Sequence, residues 1–275
     1  MSTIARRLRR EEDKTIGFVP TMGALHEGHL SLVREARQLC DVVVVSIFVN
    51  PKQFGKGEDF ESYPRDLTAD TALLTDYNVN YIFAPSNDEI YPPGFSTYVY
   101  VDDLSETLEG AIRRGHFRGV ATVLTVLLNT IRPDFAFFGQ KDAQQIAVIR
   151  RLVRDLAFDT EVVMMPTVRE ESGLAMSSRN AYLSAAERAA ASIIYRALKE
   201  VKIAYKEGER SAARLVEIAT ARINSEPLAR IEYVAAADFD TLEPLDRLDD
   251  KTVLFAVAAR FGNTRLIDNT ILNKK

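Results

Sequence analysis

The chain alternates between short apolar runs and longer segments with helical spacing. Residues 15–19, Thr-Ile-Gly-Phe-Val, are β-branched and apolar and predict a buried strand. Leu30, Leu32, Val33, Ala36 and Leu39 then recur at helical spacing, so a strand runs through a glycine-bearing loop into a helix. Residues 42–49 form the near-continuous β-branched run expected of a parallel strand buried on both faces. It ends in the polar loop 50–55, at the carboxyl end of a strand, where open α/β sheets bind ligands. Further strands are predicted at 81–83, 135–138 and 162–165. Helices are predicted at 64–77, at 120–131 (halted by Arg132-Pro133) and from the Lys141-Asp142 pair through Leu156. Such alternation predicts an α/β fold, a doubly wound, Rossmann-like parallel sheet.

Two stretches interrupt this rhythm. Tyr91-Pro92-Pro93-Gly94 breaks the pattern before an alternating segment, 97–101, and Asp103 to Glu106 has the spacing of a capping box opening a short helix. The basic, glycine-punctuated stretch 113–119 reads as a loop. Beyond residue 167 the character changes. A polar loop, 169–180, leads to a capping box at Ser184 and Glu187 that opens a long helix, then a helix at 211–224 and two late strands, 231–237 and 253–259. The expected organisation is a Rossmann-like domain, 1–167, followed by a smaller α+β domain, 168–275.

Composition narrows the class. The 275 residues are 47% hydrophobic and 27% charged, as in globular proteins. No apolar run approaches the roughly 20 residues of a membrane span, and residues 1–14 lack the apolar core of a signal peptide. The run 6–14 mixes both signs and reads as a solvated segment. A single cysteine excludes an internal disulfide and fits a reducing cytoplasm, and Cys40 reads as a small buried apolar residue. A net charge of −4 argues against nucleic acid as a partner.

The chemistry concentrates at His26-Glu27-Gly28-His29, where a helix begins. A helix start supplies backbone N–H groups and the positive end of a dipole, and two imidazoles added there suit a phosphoryl group. Other readings stay open on these residues alone. A zinc-protease motif needs one more residue before the second histidine, a metal site would have only His116 and Cys40 to add, and histidines often cap helices at a surface. Across the strand-end loops the inventory is His26, His29, Asn50, Gln53, Lys141, Asp142, Gln145, Ser177, Ser178 and Arg179. It holds many phosphate donors and no serine or cysteine with a base and carboxylate nearby in sequence, which suits phosphoryl or nucleotidyl transfer.

The motifs Pro20-Thr21-Met22-Gly23-Ala24-Leu25-His26-Glu27-Gly28-His29, Phe48-Val49-Asn50-Pro51-Lys52-Gln53-Phe54 and Tyr63-Pro64-Arg65 are joined by Glu109-Gly110 and Gly115-His116-Phe117-Arg118-Gly119. Then follow Phe138-Gly139-Gln140-Lys141-Asp142-Ala143-Gln144-Gln145, Val168-Arg169-Glu170, Gly173-Leu174-Ala175-Met176-Ser177-Ser178-Arg179-Asn180 and Arg265-Leu266-Ile267-Asp268-Asn269. In this order they resemble the pantothenate synthetase (pantoate–β-alanine ligase) family of the H-x-G-H nucleotidyltransferase superfamily.

The resemblance implies ATP and Mg2+, the latter carried mainly by ATP phosphates with no separate protein metal site. It also implies pantoate and β-alanine as the other substrates, a pantoyl adenylate as intermediate, and a homodimer. It places ATP against residues 22–29, Gly139, Gln140, Lys141 and Asp142, with His26 and His29 at the phosphates and His29 as proton donor. Lys141 would stabilise charge on the transferring phosphate and Asp142 would hold the ribose. Val168 would meet adenine through its backbone, while Met176, Ser177, Ser178 and Arg179 would close over the phosphates, making the second domain a lid. Gln53 and Gln145 would grip pantoate, with Met22 packed beside it. The chain departs from the family pattern at Arg114, Val126 and Arg260. An adenylyltransferase that keeps the nucleotide on its product, and a nucleotide-sensing or RNA-binding protein on the same fold, are the rival expectations.

Overall fold

The computed structural model describes residues 14–249 and 251–273; the charged run that begins at Arg6 lies outside them, save Lys14. In chain order the elements are β1 (Ile16–Thr21), α1 (Glu27–Leu39), β2 (Val42–Ile47), a 3₁₀ turn (Pro51–Gln53), α2 (Leu67–Asp76), β3 (Tyr81–Phe83), α3 (Asn87–Ile90), α4 (Leu108–Ile112), α5 (His116–Ile131) and β4 (Phe135–Gly139). A second 3₁₀ turn (Gln140–Asp142), α6 (Ala143–Asp155) and β5 (Glu161–Met165) follow. The remainder is a third 3₁₀ turn (Ser178–Tyr182), α7 (Ala185–Ala191), α8 (Ile193–Lys206), α9 (Ala212–Asn224), β6 (Ala229–Asp238), β7 (Val253–Phe261) and β8 (Thr264–Leu272).

The chain divides into two compact units. One comprises the described residues up to Gly139 with Val148–Met165, the other Gln140–Ala147 with the described residues from Pro166 onward. In the first, five parallel strands lie in the order β3-β2-β1-β4-β5, so the doubly wound sheet is present and its topology reverses between β1 and β4. β1 and β2 pair from Ile16↔Val42 to Thr21↔Ile47. Helices cover the sheet, so its central strands are apolar throughout: Val19, Val43, Val45 and Phe137 pack with Val33 and Ala36 of α1 and Leu74 of α2. Cys40 joins this core, and burial pushes its thiol up to about 11, so it is a protonated apolar filler.

The second unit carries the antiparallel sheet β6-β7-β8 under helices α8 and α9. Ala197, Leu198, Val201, Leu215, Ala219 and Ile223 from the helices meet Phe255, Val257, Ala259 and Phe261 from the sheet.

Five local expectations need correction. Asp103 cannot cap a helix, because its φ of +63° is left-handed whereas a capping residue is extended; α4 starts after Thr107 instead. The stretch 113–119 is not all loop. Gly115, at φ +82°, ends it, and α5 begins at His116 because Phe117, Val120, Ala121 and Leu124 bury a helix face one turn earlier than the apolar run suggested. The helix expected from 64 begins at Leu67, with Asp66 accepting from the Ala69 N–H at 2.9 Å. The long helix after Ser184 is two helices, divided at Ser192. A third late strand, β8, was not expected at all. Its middle residues Asp268, Asn269 and Thr270 are polar and buried together, which hides the alternation of a strand.

Candidate active site

The loop after β1 is built by its own side chains and one carboxylate. His26 is the N-cap of α1: its Nδ1 accepts from the Gly28 N–H at 3.1 Å, and the His29 Nδ1 accepts from the His26 N–H at 3.3 Å. The two histidines thus make a reciprocal capping box, with ring centroids 4.1 Å apart. Since each Nδ1 is an acceptor, each neutral ring carries its proton on Nε2 and donates from there.

The preceding Ala24 sits at φ +50°, a costly conformation for a residue with a side chain. Asp70 of α2 offsets that cost. Its two oxygens accept from the Ala24 N–H at 3.0 Å and the Leu25 N–H at 2.8 Å. Gly23, at φ +81°, leaves room for this approach, because a Cβ there would come within 2.8 Å of the same carboxylate. A half-open cavity of about 540 Å³ lies beside the loop, lined by Met22, Gly23, Phe48, Phe60 and Asp70 among others.

The loop after β2 is organised around Asn50. Its Nδ2 donates to the Gly119 carbonyl at 3.1 Å and to Gln53 Oε1 at 3.0 Å, while its Oδ1 accepts from Tyr91 Oη at 2.7 Å and the Lys52 N–H at 3.2 Å. A backbone carbonyl and a backbone N–H fix which way this carboxamide points, and it in turn fixes Gln53. Gln53 therefore turns its Nε2 donor outward, 3.1 Å from Met22 Sδ, so the structure brings these two predicted pantoate contacts together. Gly119 permits the close packing, since a Cβ would strike the Lys52 carbonyl.

Behind Gln53 lies His116, whose Nδ1 meets the Gln53 carbonyl at 2.8 Å and whose Nε2 meets Arg113 at 3.1 Å. Burial, with the neighbouring Arg113 cation, pushes His116 down to about 4. It is thus neutral, donating from Nδ1 and accepting at Nε2. Arg113 forks onto Glu58 at 2.7 and 2.8 Å; although burial works against it, this pair holds Glu58 below the usual carboxylate range. Asp70, Tyr91 and His116 were not singled out as site residues, because their partners lie 41 to 63 positions away in the chain.

The other predicted residues, apart from Gly139 at the end of β4, belong to the second unit. Lys141 and Asp142 lie on the 3₁₀ turn, with Lys141 Nζ 3.6 Å from Asp142 Oδ1, and Gln145 is in the first turns of α6. Val168 opens a narrow hairpin: Met176 N–H donates to its carbonyl at 3.0 Å and Arg169 bridges to Ala175. Ser177 then caps the turn carrying Ser178 and Arg179, accepting from the Arg179 N–H at 3.3 Å. Asn180 braces that turn through Glu170 Oε1 at 2.8 Å and the Ala175 carbonyl at 3.0 Å. Lys141 and Ser177 line one small recess with Tyr195 and Asp268. Among the described residues no group of three or more His, Cys, Asp or Glu is gathered that could hold a metal, and no helix is long and apolar enough to cross a membrane.

Residues 1–271 match the sequence pattern of the pantoate-β-alanine ligase family. The pantothenate synthetase of Thermotoga petrophila is 57% identical over 263 residues, covering 96% of this chain and 94% of that one. The pantothenate synthetase of Heliobacterium modesticaldum is 55% identical over 266 residues, 97% of this chain and 94% of its own. The crystal structure of pantothenate synthetase from Thermus thermophilus superposes with a TM-score of 0.92 at 47% identity, covering 97% of this chain and 96% of that chain. A pantoate-β-alanine ligase from Francisella tularensis, complexed with β,γ-ATP and β-alanine, gives 0.79 at 34% identity, with 97% and 94% covered. The chain belongs to the pantoate–β-alanine ligase family.

Proposed function

We propose that the activity of this chain, the ATP-dependent formation of pantothenate from pantoate and β-alanine, runs through an acyl adenylate assembled at the His26–His29 loop. The family assigns the overall reaction and ATP as its energy source. Residue roles are our reading. Pantoate's carboxylate attacks the α-phosphorus of ATP, pyrophosphate leaves, and the β-alanine amine then displaces AMP from the mixed anhydride.

The observation that carries this reading is the reciprocal histidine cap. Two imidazoles with Nδ1 committed to backbone N–H groups donate from Nε2, beside a helix start, which suits phosphate oxygens in both charge and geometry. Lys141 neutralises charge that grows during transfer, and Asp142 receives the ribose. Gln53, its amide turned donor-outward by Asn50, bonds a pantoate oxygen, with Gln145 as its partner in that task. Val168 and residues 176–179 serve adenine and phosphates, so the reading gives residues 1–167 substrate binding and residues 168–275 the part of a cover. Mg2+ fits as a companion of ATP, held by its phosphates and supplying charge neutralisation. We further assign the chain to the cytoplasm and to a homodimer.

The test is pyrophosphate release with ATP and pantoate present and β-alanine withheld. A burst stoichiometric with enzyme is expected; no release with any acid overturns the adenylate. An adenylyltransferase that retains the nucleotide is not favoured, because the relatives are ligases; free AMP as product separates the two.

A further inference from the structure

The motif Arg265-Leu266-Ile267-Asp268-Asn269 lies far along the chain from every residue with a role in the proposed reaction. It lies on β8, paired with β7 at Asp268↔Val257 and Asn269↔Ala256. Both polar residues are 4% exposed. Successive residues of a strand face opposite ways, and these two reach two different loops.

Asn269 Nδ2 donates to the carbonyls of Gln140 at 2.8 Å and Lys141 at 2.9 Å, and Asn269 Oδ1 accepts from Gln140 Nε2 at 3.2 Å. Two carbonyl acceptors leave no alternative orientation for this carboxamide. Asp268 takes Arg169 in a two-pronged ion pair, 2.5 and 3.0 Å, and also accepts from the Asn269 N–H at 2.8 Å. Arg169 in turn donates to the Gly173 carbonyl at 3.1 Å and stacks 4.2 Å from the Tyr195 ring, which holds the 168–176 hairpin.

Stability alone does not call for this arrangement. Burying a carboxylate and a carboxamide, with a half-buried guanidinium against them, is costly, and apolar residues of similar volume commonly serve a core as well or better. What the polar set supplies is directional attachment. The 3₁₀ turn bearing Lys141 is tied to β8 through its own backbone carbonyls, and the hairpin leading to Ser177 is tied to the adjacent residue of the same strand. A charge-neutralising group loses much of its effect when displaced by about 1 Å.

We propose that Asn269 is a positioning residue for Lys141, and that Asp268, through Arg169, is its counterpart for the nucleotide-facing hairpin. The inference rests on the reading of Lys141 as the group that neutralises the transferring phosphate. A fixed turn aims Nζ; a turn released from Asn269 lets it wander without altering how ATP is first held. Asn269 thus acts on the chemical step, and Asp268 on nucleotide binding.

The experiment is a double-mutant cycle on the full chain, reading kcat and the KM for ATP, with thermal melting alongside. Asn269→Ala should lower kcat on the order of 10- to 100-fold with the KM for ATP held within about threefold. In a Lys141→Ala background the same change should cost no more than about twofold, because the group it aims is gone. Asp268→Asn should instead raise the KM for ATP. Should Asn269→Ala fail to fold, Asn269→Ser, which keeps a donor and is smaller, carries the same comparison. Wild-type kcat in a folded Asn269 variant, or an equal loss in both backgrounds, overturns the positioning role. If Lys141→Ala itself turns over normally while Asn269→Ala is impaired, the assignment of Lys141 fails, and with it the route proposed for Asn269.

Discussion

The loop after β1 and the turn after β4 look alike in sequence: a strand, a glycine, charged or basic residues, a helix. They are held in place by unlike means. The histidine loop fastens itself, through capping bonds spanning two and three residues, with Asp70 as its more distant brace 45 and 46 positions on. The lysine turn is fastened by Asn269, 128 and 129 positions away. A self-capped loop owes its shape to local hydrogen bonds that are present as soon as the helix forms. A remotely tied turn owes its shape to completed tertiary structure, and so it can be released while the core around it stays intact.

Removing the group that the remote tie serves should give the largest effect. Lys141→Ala should lower kcat by a factor on the order of 10²–10³, with melting temperature little changed, because a lysine on a turn supports little core. Steady-state kinetics beside a melting curve checks this, and a variant with normal turnover would take Lys141 out of the mechanism.

The histidine loop offers the matching test of its distant brace, Asp70. Asp70→Ala strands two backbone N–H groups and leaves Ala24 in a strained conformation without compensation, which should cost stability on the order of 2 kcal/mol and activity at least tenfold. Urea unfolding with parallel kinetics measures both. If activity survives intact, the self-made cap is sufficient and Asp70 is superfluous to the site.

Gln53 sharpens the comparison, since it combines a near anchor, Asn50, with far ones. Gln53→Ala should raise the KM for pantoate roughly tenfold and move that for ATP by no more than about twofold, as expected for a lost specific hydrogen bond. Gln145→Ala should behave likewise. Equal damage to ATP binding would place either glutamine in the wrong pocket.

The smallest effect on turnover belongs to His116 behind Gln53, whose influence is on stability. Its folded value near 4 lies below the ordinary 6.5, so between those values the unfolded chain binds the extra proton and stability falls as pH falls. Its contribution is complete above about pH 6.5 and is lost progressively toward pH 4. From pH 6.5 to 5 the loss should be on the order of 2 kcal/mol. Denaturant unfolding at several pH values should show that slope, and His116→Asn should flatten it. A wild-type profile as flat as the variant's would mean that His116 is not buried as a neutral ring.

This contrast also explains what could be read from the chain alone. The parallel sheet was legible because Val42 to Val45 can only be a strand covered on both faces, and the H-x-G-H loop because its bonds are local. Asp103 to Glu106 misled because spacing does not report φ, and Asp103 is left-handed. β8 was missed because Asp268 and Asn269 break the apolar alternation for the sake of contacts that only the fold creates. The motif was visible, but its partners were not.

The antiparallel pairing of β7 with β8 has a further consequence, for the timing of synthesis. A ribosome delivers residues 16–165 well before residues 264–272, so the five-stranded sheet that carries the histidine loop can form before the tether of the lysine turn has left the exit tunnel. A polypeptide interrupted between Ala143 and Asp268 would carry Lys141 and both histidines and yet lack Asn269, the residue we propose aims the lysine. On the positioning role proposed for Asn269, such a fragment holds the reacting groups without their aim, and the arrival of β8 is the moment at which a nascent chain gains its full turnover.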